Sequence, residues 1–265
     1  MKFISYAQNF EDVMLWRALK NVNNGFYIDV GAWSPDIESV TRAFYHRNWC
    51  GLNIEPSPVW HKQLVLRRPR DINLGIALSD KPGEIEMFAV GNTGRLSTAD
   101  KEVADTHAKT GMSVIQDRRE CSTLELVWNN YAKDREVHFL KVDVEGFEQL
   151  VLSGNDWNKN RPWIVLVEST VPNQPIQVYE KWEPILLMSG YLFAYADGLN
   201  RFYVASEHKE LLPSFALPPN VFDNFILADL VNANNELEEI KKQLLKEQNL
   251  RLELQQQLSN KNMNQ

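Results

Sequence analysis

"YIDVGAWSP", Tyr27 to Pro35, decides how the chain is read. An apolar run of strand character, Phe26-Tyr27-Ile28, ends on the carboxylate of Asp29 and then turns through Gly31. Two ligand classes compete for such a strand end, beside the plain alternative of a strand-turn with a helix-capping acid. A dinucleotide fingerprint needs G-x-G-x-x-G, because a pyrophosphate approaches bare backbone at a helix N-terminus. Here Gly31 stands alone, with Trp33 and Ser34 where further small residues belong. A pyrophosphate would also meet the negative charge of Asp29, whereas an ammonium or sulfonium group would be attracted to it. The stretch favours a cationic ligand.

Working outward, 265 residues at 44% hydrophobic composition can bury one large core. A net charge of -7 excludes the broad basic surface of a nucleic-acid binder and suits small-molecule or sugar chemistry. Cys50 and Cys121 have no zinc or disulfide spacing, as expected of a reducing, cytoplasmic setting. The N-terminus reaches Glu11 and Asp12 before a signal-peptide core forms, and no 18-residue apolar run follows, so a soluble, unprocessed protein is expected.

Ser5 followed by Gln8 makes a capping-box pattern for a helix through about Lys20. Strands and helices then alternate: Phe26 to Val30, a helix near Glu38 to Asn48, "GLNIE" at Gly51 to Glu55, a helix from Pro58 to Leu66, and a strand at Ile72 to Leu78. Gly83 to Val90 reads as an added hairpin strand, and Gly91 to Gly111 as a long polar loop of the lid or binding type. Alternation resumes with a helix at Ser122 to Tyr131, strands at Val137 to Val142 and Trp163 to Glu168, and a helix near Ile176 to Ser189. Two last strands flank an Asp197-Gly198 turn. Such alternation predicts a doubly wound parallel sheet with an antiparallel final hairpin, its ligands at the carboxyl ends of the strands.

Asp29, Glu55, Asp143 and Glu168 all end strands, so their carboxylates should share one crevice. Glu55, one β-α-β step after Asp29, is placed to accept both hydroxyls of a ribose. The segments "SYAQNFEDVMLWRAL", "YIDVGAWSP", "GLNIEPSP", "ALSD" and above all "LKVDVEGFE" together resemble the FkbM family of S-adenosylmethionine-dependent methyltransferases, from about Ser5 to Ala205. That resemblance implies a class I methyltransferase fold, Rossmann-like, with a seven-stranded, mostly parallel sheet whose last strand is antiparallel. It also implies S-adenosyl-L-methionine as cofactor, held among Gln8, Asp29, Gly31, Ala32, Glu55, Pro56, Ala77 and Leu78, with Asp29 on the methionine ammonium side, directly or through water. Trp33-Ser34-Pro35 departs from the small residues usual in the family's first motif. The acceptor class implied is a sugar, methylated on oxygen during polysaccharide or glycolipid biosynthesis.

A sugar hydroxyl must lose its proton as it attacks, which calls for a base or a metal. Asp143 and Glu145 are the candidates on the acceptor side, and Glu168 would complete an oxygen-rich site for Mg²⁺. Glu145 as a helix N-terminal acid and Glu168 as a structural residue are the alternatives. His107, in the polar loop, is the histidine candidate for a base. Arg95, Ser97 and Thr98 are candidates for acceptor contact. Ser5, Gln8 and Asp12 either roof the cofactor or, for the first two, cap a helix.

From Leu230 the pattern changes. Leu230, Leu237, Leu244 and Leu258 recur every seven residues, with Ala233, Ile240 and Leu254 at the offset, and Glu247 and Arg251 interrupt them. Such a seam predicts a coiled-coil helix that meets itself or a partner helix, or else an amphipathic helix packing on its own domain. The expected organisation is a methyltransferase domain at 1–217, a tether at 218–229, a coiled-coil helix at 230–259 and a disordered tail at 260–265. Other functions in contention are methylation of another small metabolite and a catalytically silent partner that recruits a glycan-assembly complex.

Overall fold

The chain enters on strand β1 (Phe3–Ser5) and helix α1 (Glu11–Leu19), not on the helix from Ser5 that the capping pattern predicts. Phe10 precedes α1 in the left-handed region (φ 64°) with no side-chain cap. Asp12 does the holding instead: its carboxylate accepts from the Tyr6 and Ala7 N–H groups at 2.7 and 3.4 Å, while Glu11 accepts from Asn9 N–H at 2.8 Å. Acids inside the first turn fold back to fix the chain before it.

The computed structural model describes residues 2–91, 97–172 and 174–263 and divides into two compact units. The larger, Tyr6–Asp223, continues through β2 (Phe26–Val30), α2 (Arg42–Tyr45), β3 (Cys50–Ile54), α3 (Pro58–Arg67) and β4 (Ile72–Leu74). Strand β5 (Ala77–Leu78), strand β6 (Gly83–Val90), helix α4 (Lys101–Lys109) and strand β7 (Val114–Ser122) follow. Helix α5 (Leu124–Tyr131), β8 (Phe139–Val142), α6 (Glu148–Ser153), β9 (Ile164–Glu168), α7 (Glu183–Met188), β10 (Tyr191–Ala196) and β11 (Asn200–Ala205) complete it.

Seven strands form one sheet in the order β10-β11-β9-β8-β2-β3-β4. Strands β2, β3, β4, β8 and β9 run parallel, and β11 is antiparallel to both its neighbours, so the sheet is mixed. Alternate residues explain why it is covered on both faces. Phe26, Ile28, Val30, Leu140, Val142, Val165 and Val167 pack on one side with Leu124, Trp128 and Leu152, while Tyr27, Phe139, Ile164 and Leu166 pack on the other with Leu15, Phe44 and Trp49.

Three local expectations need correction, and one strand was not expected. The strand expected over Ile72 to Leu78 splits: β4 stays in the main sheet, and β5 pairs with β7 in a separate sheet ordered β5-β7-β6. Strand β7 was invisible because "VIQDRRECS" is mostly exposed and carries no hydrophobic alternation. The polar loop contains α4, capped by Asp100, whose Oδ1 accepts from the Glu102 and Val103 N–H groups at 2.8 and 3.3 Å; Arg95 lies outside the described residues. The helix expected over Glu38 to Asn48 shrinks to four residues, since Glu38 and Asn48 both take left-handed φ values, 53° and 64°.

The segment before α2 is instead pinned by Arg68, whose side chain is fully buried. Its Nη2 donates to Pro35 O and Ser39 Oγ, both at 2.9 Å, and Nη1 lies 3.5 Å from Asp71. Asp71 accepts in turn from Tyr27 Oη at 2.7 Å, Gly51 N–H at 2.8 Å and Asn53 Nδ2 at 3.1 Å. This network fastens the loop after β2 to the sheet edge.

In the smaller unit, β12 (Phe225–Leu227) pairs in parallel with β1 and leads into α8 (Ala228–Met263). The stretch expected to be a tether at 218–229 therefore contains a strand, which needs a partner more than 200 residues away to be recognised. Helix α8 begins before Leu230 and runs past 260, where a disordered tail was expected; residues 264 and 265 lie outside the described residues. No described helix is long and apolar enough to cross a membrane.

Removing Arg68 leaves Asp71 buried with its positive partner gone. Arg68→Ala should therefore cost about 3–5 kcal/mol, the usual consequence of breaking a buried ion pair. A urea midpoint shifted by less than about 1 kcal/mol at unchanged m would contradict the role given to this network.

Candidate active site

Gly31 explains why the first strand turns where it does. It sits at φ 79°, and a Cβ there would overlap the carbonyl oxygen of Asp143. Its N–H and that of Ala32 donate to Ile54 O at 3.0 and 3.2 Å. The lone glycine thus serves the close approach of three strand ends, β2, β3 and β8, and no pyrophosphate is needed to account for it.

Asp29 does not line the cavity that opens there, contrary to the expectation that it faces the ligand. It is buried, with Thr41 Oγ1 donating to it at 3.2 Å and the Lys141 ammonium forming an ion pair with it at 3.4 Å. Lys141 also reaches Asp143 at 3.2 Å and donates to Gly31 O at 3.2 Å. Burial opposes the ammonium charge, but Asp143 and Asp29 outweigh it and hold the lysine above its ordinary pKa. Lys141 was missed by reading only acids; its signal is a lysine inside "FLKVDVE", in direct register with Asp29 across β2 and β8.

The cavity holds about 390 Å³, within the range of small-molecule sites. Glu55, Pro56, Ala77 and Leu78, four of the residues that the family resemblance implies for the cofactor, line it. Both oxygens of Glu55 are already oriented by backbone: Oε2 accepts from Trp33 N–H and Oε1 from Ser57 N–H, each at 2.8 Å. Burial pushes its pKa up to about 7 against the pull of those donors and of Lys141. Each oxygen keeps a second lone pair for a ligand hydroxyl. Gly31 and Ala32 also line the space.

Gln8 lines the cavity as well, together with two residues not foreseen, Glu11 and Asn200. Glu11 Oε1 accepts from Asn200 Nδ2 at 2.9 Å, and burial lifts its pKa to about 7. Nothing in the local sequence joins positions 11 and 200; the Asp197-Gly198 turn between β10 and β11 does so.

Asp143, Glu145 and Glu168 converge as anticipated. One carboxylate oxygen from each lies within 4.8 Å of the others. Glu145 takes φ 54° and Gly146 φ 102°, and this turn is fixed from two sides. Glu148 Oε1 accepts from the Val144 and Gly146 N–H groups, both at 3.1 Å, and Thr98 Oγ1 donates to Glu145 O at 2.7 Å. Burial, then the charges of Asp143, Glu145 and Glu148, hold Glu168 well above the usual carboxylate range. Its Oε2 is buried without a hydrogen-bond partner among the described residues. Three acids this close need a proton or a cation. All the donors are oxygens, which fits a hard divalent ion.

His107 is not brought to this cluster. It is buried within α4 and does not line the cavity, because the segment expected to be an open loop is a helix that turns this ring inward. Ser97 does line the cavity, whereas Thr98 serves the turn beneath it.

Glu148 offers a test of this construction. Burial pushes its pKa from 4.5 to about 7 despite its N–H partners, so the unfolded chain releases this proton first. Stability therefore falls as pH rises from 4.5 to 7, by up to about 1.4 kcal/mol per pH unit for this group, and the group adds no slope on either side. Glu148→Gln keeps an Oε1 acceptor and carries no proton. Relative to the parent it should gain stability between pH 5 and pH 7.5; urea unfolding at both values that gives the same difference would count against a buried, proton-holding Glu148.

None of the curated proteins matches the chain. The Methyltransferase FkbM domain matches residues 29–202, a span that opens on Asp29, closes inside β11 and includes the Asp143-Glu145-Glu168 cluster. The α/β architecture and mixed sheet are consistent with a methyltransferase fold. With well over half of its length matched, the chain belongs to the FkbM methyltransferase family.

Proposed function

We propose that the cavity binds S-adenosyl-L-methionine on a class I methyltransferase sheet and that the chain methylates a hydroxyl of a sugar in polysaccharide or glycolipid biosynthesis. One observation carries this: Glu55 and the Asp143-Glu145-Glu168 cluster line a single cavity. Glu55 suits a ribose and the acid cluster suits both a cationic ligand and a hydroxyl that must lose a proton. The sugar acceptor rests on the family alone.

When bound, S-adenosyl-L-methionine supplies a methyl group on a positively charged sulfur. Glu55 accepts from the ribose hydroxyls, with its oxygens already aimed by Trp33 and Ser57 N–H, so little ordering is left for binding. Pro56, Ala77 and Leu78 give the base an apolar slot. Asp143, one side of which Lys141 neutralises, stands with Glu145 on the acceptor side. Glu145 takes the proton of the acceptor hydroxyl, whose oxygen would receive the methyl group as the sulfur–methyl bond breaks and the neutral thioether leaves; Glu168, already holding a proton, does not serve as the base. Positioning and exclusion of water supply most of the remaining rate. Asp143, Glu145 and Glu168 would also hold Mg²⁺, which would polarise the acceptor hydroxyl and lower its pKa.

Two measurements test this. Glu55→Ala should weaken S-adenosyl-L-methionine binding roughly tenfold to a hundredfold by calorimetry, the worth of charge-assisted hydrogen bonds. Asp143→Asn and Glu145→Gln should lower kcat on a methylatable sugar far more than they change cofactor affinity. Unchanged binding in the first, or normal turnover in both of the others, sinks the assignment. Full activity after exhaustive chelation would leave the proton to Glu145 without a metal.

A further inference from the structure

Helix α8 carries a surface that methyl transfer does not use. At the core places of its heptads, Leu230, Leu237, Ile240, Leu244 and Leu254 are 48–60 % exposed. Glu247 and Arg251 interrupt this stripe at two successive core places and are joined within the chain by an ion pair of 2.8 Å. A leucine stripe of this length is covered by another helix in a coiled coil.

The two interrupting charges select the cover. In a parallel pair of identical helices each core residue faces its own copy, which sets Glu247 against Glu247 and Arg251 against Arg251. Like charges opposed at a seam are disfavoured. In an antiparallel pair the first core place of a heptad faces the second, so Glu247 of each copy meets Arg251 of the other. The same register sets Leu244 opposite Leu254 on both sides of the centre. It also brings Leu250, 55 % exposed, beside Leu250 of the second copy, where the two leucines shield the charged layers. A pairing in which residue i meets j and j meets i is twofold symmetric, the commonest form of homodimer.

We propose that α8 binds a second copy of this chain as an antiparallel coiled coil centred on Asn249, with Glu247 and Arg251 choosing its orientation and register. The leucines supply the affinity. Exposed ion pairs contribute little to stability by themselves, and their best-attested use at a seam is to reject wrong registers.

The test uses the full chain. Sedimentation equilibrium should give a dimer. Leu244→Cys and Leu254→Cys are then prepared separately, mixed and mildly oxidised, with the parent chain as control for Cys50 and Cys121 and peptide mapping to assign the bond. The mixture should form a 244–254 disulfide between copies, and neither variant should cross-link to itself. Like positions would stand about 15 Å apart along the axis, beyond the reach of a disulfide. As a second readout, Arg251→Glu and Glu247→Arg should each weaken dimerisation by at least roughly tenfold, and mixing the two should restore it. Both sites are exposed, so the fold is not at risk. A monomer, self-cross-linking of either single variant, or an assembly only with a different protein each overturns the proposal.

Discussion

The ammonium of Lys141, buried between Asp29 and Asp143, is the constraint on which the site depends. Asp29 and Lys141 face one another in register on adjacent strands, and the same nitrogen ties down Gly31 O and Asp143. Taking a lysine out of water costs several kcal/mol unless its partners are close and numerous. Here two carboxylates and a carbonyl meet it. The arrangement fixes the ends of β2 and β8 together and sets the position of Asp143 at the cavity wall. It also explains why an acid at the end of β2 need not touch a ligand: its charge is already answered.

Beyond that ion cluster the cavity is rich in acid. Glu11, Glu55 and Glu168 line it, and Glu148 sits beneath the turn; burial raises the pKa of each. Every one of these groups makes the fold less stable at neutral pH than a neutral side chain of similar shape would. Proteins keep such destabilising groups where function uses them. A ligand that brings positive charge and hydroxyl donors relieves the same groups that the fold leaves strained, which links affinity directly to the electrostatics of burial.

What the sequence disclosed follows from how local each signal is. Strands buried on both faces announce themselves as apolar runs, and acids at their ends are adjacent in sequence to those runs, so Glu55, Asp143 and Glu168 were legible. Lys141 was equally near but stands inside a strand, where a charge reads as an exception unless its cross-strand neighbour is known. Glu11 meets Asn200, and β1 meets β12, only through tertiary structure. Ser5 and Gln8 carried a valid capping pattern, overridden by acids one turn later. His107 was misplaced because polar composition concealed a helix with its own aspartate cap.

The stretch "DVEGFE" shows how three chemically similar acids are separated within six residues. Asp143 is bound to Lys141; Glu148 turns back to hold the Val144 and Gly146 N–H groups. Glu145 lies between them in a left-handed conformation that costs a residue with a Cβ about 1–2 kcal/mol. Glycine or asparagine would adopt it more readily, so a structural turn gives no reason to place glutamate there. The backbone is held from both sides by Glu148 and Thr98, and the strained residue carries its carboxylate to within reach of Asp143 and Glu168. Strain of this kind persists only where the surroundings over-determine it, and here they hold the side chain that completes the acid cluster.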